Sequence, residues 1–375
     1  MPANLDSEIT NDRFLKACRY ESVDSTPIWL MRQAGRYLPE YNKTRAKAGS
    51  FLQLAKNPRY CSEVTLQPLD RYDLDAAILF SDILTIPDAM GLGLSFEQGE
   101  GPRFEFPLQS EKRIQDLRVA DMDQLRYVFD AVAEIRKDLM QNGKQRVPLI
   151  GFSGSPWTLA CYMVEGSGSK EFQHTKTLLY TRPDLMRHIL DINIQSVTEY
   201  LKLQIESGAQ AVMLFDTWGG LLSHSDYLEY SLSPMKEVIR RLHEDRNIKE
   251  NIPILLFSKG GGLWLKEMAK SGANVLGMDW TQSLLQARET LGGQRVSLQG
   301  NIDPQILLGD QKIIKTKVAE MFNELALTNA INSGLSSLDG HIFNLGHGIS
   351  QFTPPENVQV LIEAVRTESN RHRQK

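Results

Sequence analysis

The chain has 375 residues, of which 41% are hydrophobic and 23% charged, with a formal net charge of -4. That is ample for a large buried core, while no apolar run approaches the ~20 residues of a membrane span and the slightly acidic balance gives no general footprint for nucleic acid, so neither is expected as a partner. Asp6, Glu8 and Asp12, with no apolar core or basic run beside them, argue against a secretory or transit segment and for a cytoplasmic protein, with residues 1–11 and 368–375 expected as flexible tails.

Pro27 to Leu30 is the first apolar, strand-like run, and Met31-Arg32-Gln33-Ala34-Gly35-Arg36 follows it directly. Arginine presents a planar fork of donors matched to carboxylate or phosphate, and a strand end followed by glycine aims such forks into one space. From Ile28 to Ser50 the charges are Arg32, Arg36, Lys43, Arg45 and Lys47 against Glu40 alone, a local excess of +4. The segment reads as a clamp for a polyanion.

Seven more short apolar runs follow in order: Ala76 to Phe80, Pro148 to Phe152, Ala211 to Phe215, Pro253 to Phe257, Asn274 to Met278, Arg295 to Leu298 and His341 to Leu345. Each stops at polar or small residues, among them Ser81-Asp82, Ser153-Gly154-Ser155, Asp216-Thr217, Ser258-Lys259-Gly260, Asp279 and Gly346-His347. Continuous apolar runs fit parallel strands covered on both faces. Helices are expected between them at Pro58 to Arg71, Gln124 to Gln141, Asp184 to Glu206, Asp226 to His243, Trp264 to Ser271 and Glu356 to Arg366, the clearest carrying the stripe Leu190, Ile194, Val197, Leu201 and Ile205. Eight such units predict an α/β fold, a single (β/α)8 TIM barrel spanning 1–375, with an open doubly wound sheet as the alternative. The long interval from Asp82 to Val147, with Gly91, Gly93, Gly99 and Gly101, predicts a hairpin and a helix inserted after the second strand: a lid, a subunit contact or a plain surface excursion.

Cys18, Cys61 and Cys161 have no paired spacing, the seven histidines form no His-Glu-x-x-His pattern, and no dinucleotide motif follows a strand, so no metal or nucleotide is called for. Trp218-Gly219-Gly220 and Lys259-Gly260-Gly261-Gly262 look like loops whose backbone amides approach an anion, with a phosphate site as the simpler reading of the second.

The run Trp29 to Tyr41, Leu79-Phe80-Ser81-Asp82-Ile83-Leu84, Gly151 to Thr158, Tyr162-Met163-Val164-Glu165-Gly166, Phe215 to Gly220 and Asn344 to Gly348 together closely resemble the uroporphyrinogen decarboxylase family over nearly the whole chain. The resemblance implies a cytoplasmic, cofactor-free homodimer of (β/α)8 barrels that removes the four acetate carboxylates of uroporphyrinogen. It also implies roles for individual residues. Asp82 would meet the pyrrole N–H groups of the macrocycle, although residue type alone fits a turn cap equally well. Arg32 and Arg36 would hold substrate carboxylates, with Gln33, Ala34 and Gly35 giving backbone contacts and Arg32 assisting protonation. Tyr162 would join the catalytic set as a donor, Thr217 would offer a hydroxyl where some members have serine, and His347 would contact a carboxylate while titrating near neutral pH. Arg45 is either a further carboxylate contact or a solvated charge, and Asp216 would orient nearby backbone. Two other readings stand beside this one: a zinc-dependent methyltransferase of the same barrel type, for which only Cys161 lies near a strand end, and a non-catalytic tetrapyrrole carrier.

Overall fold

In the computed structural model, which describes residues 9–97, 101–246, 248, 252–330 and 336–374, seven of the eight apolar runs contain strands and four further strands form outside them. In chain order these are β1 (Ala77–Ile78), β2 (Leu94–Glu97), β3 (Gly101–Phe104), β4 (Met140–Gln141), β5 (Lys144–Gln145), β6 (Leu149–Gly154), β7 (Ala211–Asp216), β8 (Ile254–Ser258), β9 (Val275–Gly277), β10 (Ser297–Gln299) and β11 (His341–Ile342). Seven of them form one parallel sheet in the order β1-β6-β7-β8-β9-β10-β11, and β2–β3 and β4–β5 form separate two-stranded hairpins. All of β6 and β8 and nearly all of β7 are buried, as strands sandwiched between layers must be. Sequential neighbours in the sheet require a crossover each time, and the helices that make the crossovers pack on its outer surface.

The segment Pro27 to Leu30 is a bridge, not a ladder. Ile28 pairs in parallel with Phe343, the Phe343 N–H donates to the Pro27 carbonyl at 2.8 Å, and the Asp75 N–H donates to the Ile28 carbonyl at 2.8 Å. The segment therefore touches chain next to both edge strands, β11 and β1. Its ladder is short because side chains take its amides: Asp75 Oδ2 accepts from Ile28 N (2.6 Å), Gln33 Oε1 from Leu30 N (3.1 Å) and Asn344 Oδ1 from Met31 N (3.0 Å).

Local chemistry explains where the helices begin. Asn57 accepts from the amides of Arg59 and Tyr60 at the head of Pro58–Arg71, and Ser155 Oγ accepts from Thr158 N at the head of Pro156–Glu165, each with proline in the first turn. In Pro183–Glu206 the stripe Leu190, Ile194, Val197 and Leu201 is buried, and Ile205 is partly so. Gln204 on the same helix accepts from Phe152 N (2.9 Å) and donates to Phe152 O (3.0 Å), fastening the helix to β6.

Several expected boundaries move for identifiable reasons. The helix expected to reach Gln141 ends at Asp138, because Asn142 and Gly143 both take positive φ and turn β4 into β5 as a two-residue hairpin. The helix expected from Asp226 starts regularly only at Ser233; Tyr227–Leu232 forms a wider turn ahead of Pro234. Trp264 to Ser271 shortens to Leu265–Met268. The expected C-terminal tail is helical through Arg373, which pairs with Asp339 at 3.1 Å, and Ile9 bridges to Gln145, so residues 368–373 and 9–11 are fixed to the body. Residues 1–8 and the hairpin position Gly99 lie outside the described residues.

The interval after β1 packs against neighbouring parts of the chain at both ends. Phe104 N donates to Gly166 O and Leu108 N to Met163 O, both at 2.7 Å, gripping the end of the helix Pro156–Glu165. Phe96 of β2 packs at a tilt against Phe51 (4.6 Å between ring centres), which meets Phe80 (5.7 Å), which meets Tyr41 (5.5 Å).

Candidate active site

Parallel strands place their carboxyl ends on one face, and the polar residues that punctuate the sequence collect there. Arg32 leaves the first segment with φ 61, a conformation uncommon for arginine. Its side chain runs along Gly348, where any Cβ would collide with it, so the glycine after His347 is what gives the guanidinium its path. Arg32 and Arg36 are exposed, and neither forms an ion pair among the described residues. Arg45 and Arg36 both act on the phenol of Tyr41, against the upward push of its burial.

Asp82 follows β1. Its Oδ1 accepts from Leu84 N at 2.8 Å, the turn-capping contact, and its Oδ2 has no hydrogen bond among the described residues. The turn and a functional role are thus compatible: one oxygen orients the carboxylate and the other is left available. Burial pushes the carboxyl pKa up, opposed by the Leu84 N–H and by Arg32. A carboxylate raised by burial is an anion in want of a cation, so a positive charge arriving beside it is strongly favoured.

Tyr162 lies on the helix Pro156–Glu165, edge-on to Trp218 at 6.1 Å and to Phe172 at 6.5 Å. Burial pushes its phenol up to about 12; the nearby Trp218 N–H, which stops short of a hydrogen bond, and Arg32 oppose this, while Asp82 adds to it. Tyr162 is therefore a protonated donor at neutral pH. Thr217 is half-buried and makes no hydrogen bond among the described residues. Beside it, Asp216 is fully buried and accepts from Ser155 (2.7 Å), Thr158 (3.1 Å), Ser231 (2.8 Å) and Ser258 (2.7 Å). Four hydroxyls on one carboxylate tie the ends of β6, β7 and β8 together.

His347 stands near Phe257, 6.1 Å between ring centres. Burial, then Arg32 and Lys259, lower its pKa to about 4 against a partial offset from Asp279, so the expectation that it titrates near neutrality is corrected: the ring is neutral. Gln33 is likewise committed to structure. Its amide donates to Ala76 O (3.1 Å) and its own carbonyl accepts from Tyr37 (2.9 Å), which leaves Ala34 and Gly35, both partly exposed, as the accessible backbone of that turn.

The glycine-rich loops are not open cradles. Gly220 lies so close to Gly260 that a Cβ would strike the Lys259 carbonyl, and the Gly260 amide is already held by Asp279 and that of Lys259 by the Asp216 carbonyl. Their glycines serve close packing of two loops, which corrects the anion-cradle expectation. Lys259, which follows β8, sits over the Trp280 ring at 5.9 Å. A surface hollow among Asn11, Tyr72, Asp73, Lys144 and Arg146 lies at the opposite ends of the strands, with Arg146 paired to Asp70 and Asp73 to Arg366. Among the described residues no three His, Cys, Asp or Glu side chains gather as a metal would need, and Cys161 is a buried thiol raised by its surroundings.

His347 and the fully buried His341, lowered to about 3 by burial, Arg288 and Arg373, carry a pH consequence. Both fold with pKa values below the ordinary 6.5, so the unfolded chain takes up their protons first and stability falls as pH drops from about 6.5 toward 4. The raised carboxyls of Asp82 and Asp216 act with the opposite sign. A His341→Gln variant isolates the histidine: its thermal midpoint should decline less between pH 6.5 and 4 than that of the parent, and parallel curves would exclude the effect.

The family described as Uroporphyrinogen decarboxylase (URO-D) matches residues 9–368. A uroporphyrinogen decarboxylase of Cupriavidus necator is 60% identical over 365 residues, covering 97% of this chain and 98% of that protein. One from Ralstonia nicotianae is 60% identical over 363 residues, covering 97% of each. A methyltransferase from Methanosarcina mazei superposes with a TM-score of 0.75 at 21% identity, covering 95% of this chain and 97% of the other, a likeness of fold.

Proposed function

The chain belongs to the uroporphyrinogen decarboxylase family, carboxy-lyases of tetrapyrrole biosynthesis, and from that premise we propose how its residues remove the acetate carboxylates of uroporphyrinogen. The supporting observation is the convergence, on one face, of the acid Asp82 and the unpaired Arg32, whose charge reaches Asp82, Tyr162 and His347 together.

Direct loss of carbon dioxide from a ring acetate would leave an almost unstabilised carbanion. Protonating the pyrrole α-carbon first makes an iminium-like ring, which takes the electron pair as the carbon–carbon bond breaks; a second proton then converts the exocyclic methylene to methyl. The site must deliver protons and stabilise a cation. Asp82 does the second with its free oxygen, because a porphyrinogen flexes at its meso carbons and can turn its N–H groups toward one carboxylate. Arg32 and Arg36 hold acidic side chains at the rim, Ala34 and Gly35 line the turn between them, and Gln33 fixes that turn to the sheet. Tyr162 and Thr217 donate hydroxyl hydrogen bonds, and neutral His347 contacts a substrate carboxylate. We read the sheet as a closed (β/α)8 barrel in a single domain, with Pro27 to Leu30 as its first strand and the interval from Asp82 to Val147 as an insertion bracing the Tyr162 helix.

The protein is further read as a cytoplasmic homodimer. Exposed Leu263, Trp280, Leu308 and Phe352, all in segments that follow strands, offer an apolar rim for a second copy, and sedimentation tests it. Anaerobic incubation with uroporphyrinogen, with products separated by carboxylate count, tests the reaction: stepwise loss of carboxylates is expected, and binding without conversion would mean a carrier. Arg32→Ala and Arg36→Ala should each raise KM by about tenfold or more with a smaller effect on kcat, and should flatten the dependence of KM on salt. Unchanged KM in both would remove the clamp.

A further inference from the structure

Lys259 has no part in the reading so far. It follows β8, the central strand of the order β1-β6-β7-β8-β9-β10-β11, whereas Arg32 enters beside the two edge strands. When such a sheet curls, its centre faces its edges across the mouth. In that order three strands on either side separate Lys259 from the segment that carries the arginines.

The lysine is also uncompensated. Asp279 and Asp216, whose groups hold the Gly260 and Lys259 amides, are occupied elsewhere: Asp279 Oδ1 accepts from Thr281 N (2.9 Å) and Thr281 Oγ1 (2.5 Å), its Oδ2 accepts from Gly260 N, and both oxygens of Asp216 are held by hydroxyls. Lys259 forms no ion pair among the described residues and rests over the indole of Trp280, itself 40% exposed. Its charge reaches His347, so it faces the same space as Arg32. A cation without a carboxylate, parked on an aromatic face at the rim, is free to be drawn to an anionic ligand.

We propose that Lys259 is a carboxylate-binding residue of this site, holding the part of the substrate's acidic perimeter that Arg32 and Arg36 do not reach. This rests on the decarboxylase reading for the identity of the ligand. Such a two-sided grip fixes which ring is presented to Asp82 in a way that a one-sided clamp does not.

The test measures the Kd for uroporphyrinogen by anaerobic fluorescence titration and turnover in parallel, for the parent, Lys259→Gln and Lys259→Arg, at low and high salt. Lys259→Gln should bind about tenfold or more weakly at low salt, with a shallower salt dependence, and Lys259→Arg should recover most of the affinity. A Lys259→Gln protein with the parent's Kd and salt dependence overturns the inference. Turnover decides the other reading separately: a parent that binds but does not convert refutes the decarboxylase assignment while the variant's Kd still judges Lys259, and a parent that neither binds nor converts refutes both.

Discussion

Asp82→Asn should leave a folded protein whose turnover of uroporphyrinogen falls by at least about 100-fold, the scale on which removing one preorganised electrostatic stabiliser acts. Asparagine keeps an oxygen that accepts from Leu84 N, now 2.8 Å from Asp82 Oδ1, so the turn beginning Thr85–Pro87 survives. What disappears is the negative charge opposite the protonated pyrrole. Because burial raises the Asp82 carboxyl, the charge costs the empty protein stability, and the variant should melt at the same temperature as the parent or slightly higher. A stable but inactive protein is the signature; product formation within a factor of a few of the parent would take Asp82 out of the chemistry.

Much of this site was readable in the sequence because strand ends announce themselves. The runs ending at Ser81-Asp82, Asp216-Thr217 and Gly346-His347 become β1, β7 and β11, and their polar successors reach a common face by the geometry of parallel pairing. What escaped was whatever depends on partners distant in the chain. Gln33 looked like part of the binding turn, yet it substitutes for ladder bonds through contacts with Ala76 and Leu30. The neutrality of His347 follows from burial and two cations brought in by other loops, none visible in a glycine turn. The hydroxyl shell of Asp216 draws on Ser155, Thr158, Ser231 and Ser258 from three stretches of chain, so no local pattern encodes it. The glycines after Lys259 were misleading for the same reason, since loop-against-loop packing and anion binding both select residues without a side chain. By contrast, Asn142-Gly143 was a local signal for a hairpin, and both residues take the positive φ that turns β4 into β5.

The second large effect concerns stability. Asp75→Ala should lower the unfolding free energy by about 3–5 kcal/mol, the range for removing one partner of a buried ionic cluster. The Asp75 carboxylate is fully buried and receives Ile28 N (2.6 Å), Asn11 Nδ2 (2.8 Å), Arg13 Nη1 (3.4 Å) and Arg366 Nη2 (2.8 Å). It thus joins the start of the chain, the segment Pro27 to Leu30 and the last helix, Pro355–Arg373, at the place where β1 meets that segment. Alanine would leave the buried Ile28 amide unpaired and would take from Arg13 and Arg366 the buried carboxylate they share, leaving them only the exposed Asp24 and Asp73. Asp73 provides the control, since it pairs with the same Arg366 at 2.9 Å but is 71% exposed, so Asp73→Ala should cost less than about 1 kcal/mol. Urea titrations of the two variants separate the cases, and an Asp75→Ala midpoint matching that of Asp73→Ala would show that the buried carboxylate is not the fastening. Because Arg32 follows Ile28 by only four residues, loosening this point also frees the guanidinium that faces Asp82. Asp75→Ala should therefore bind substrate more weakly at temperatures where it is still folded, linking a contact at the far end of the strand to capture at the mouth.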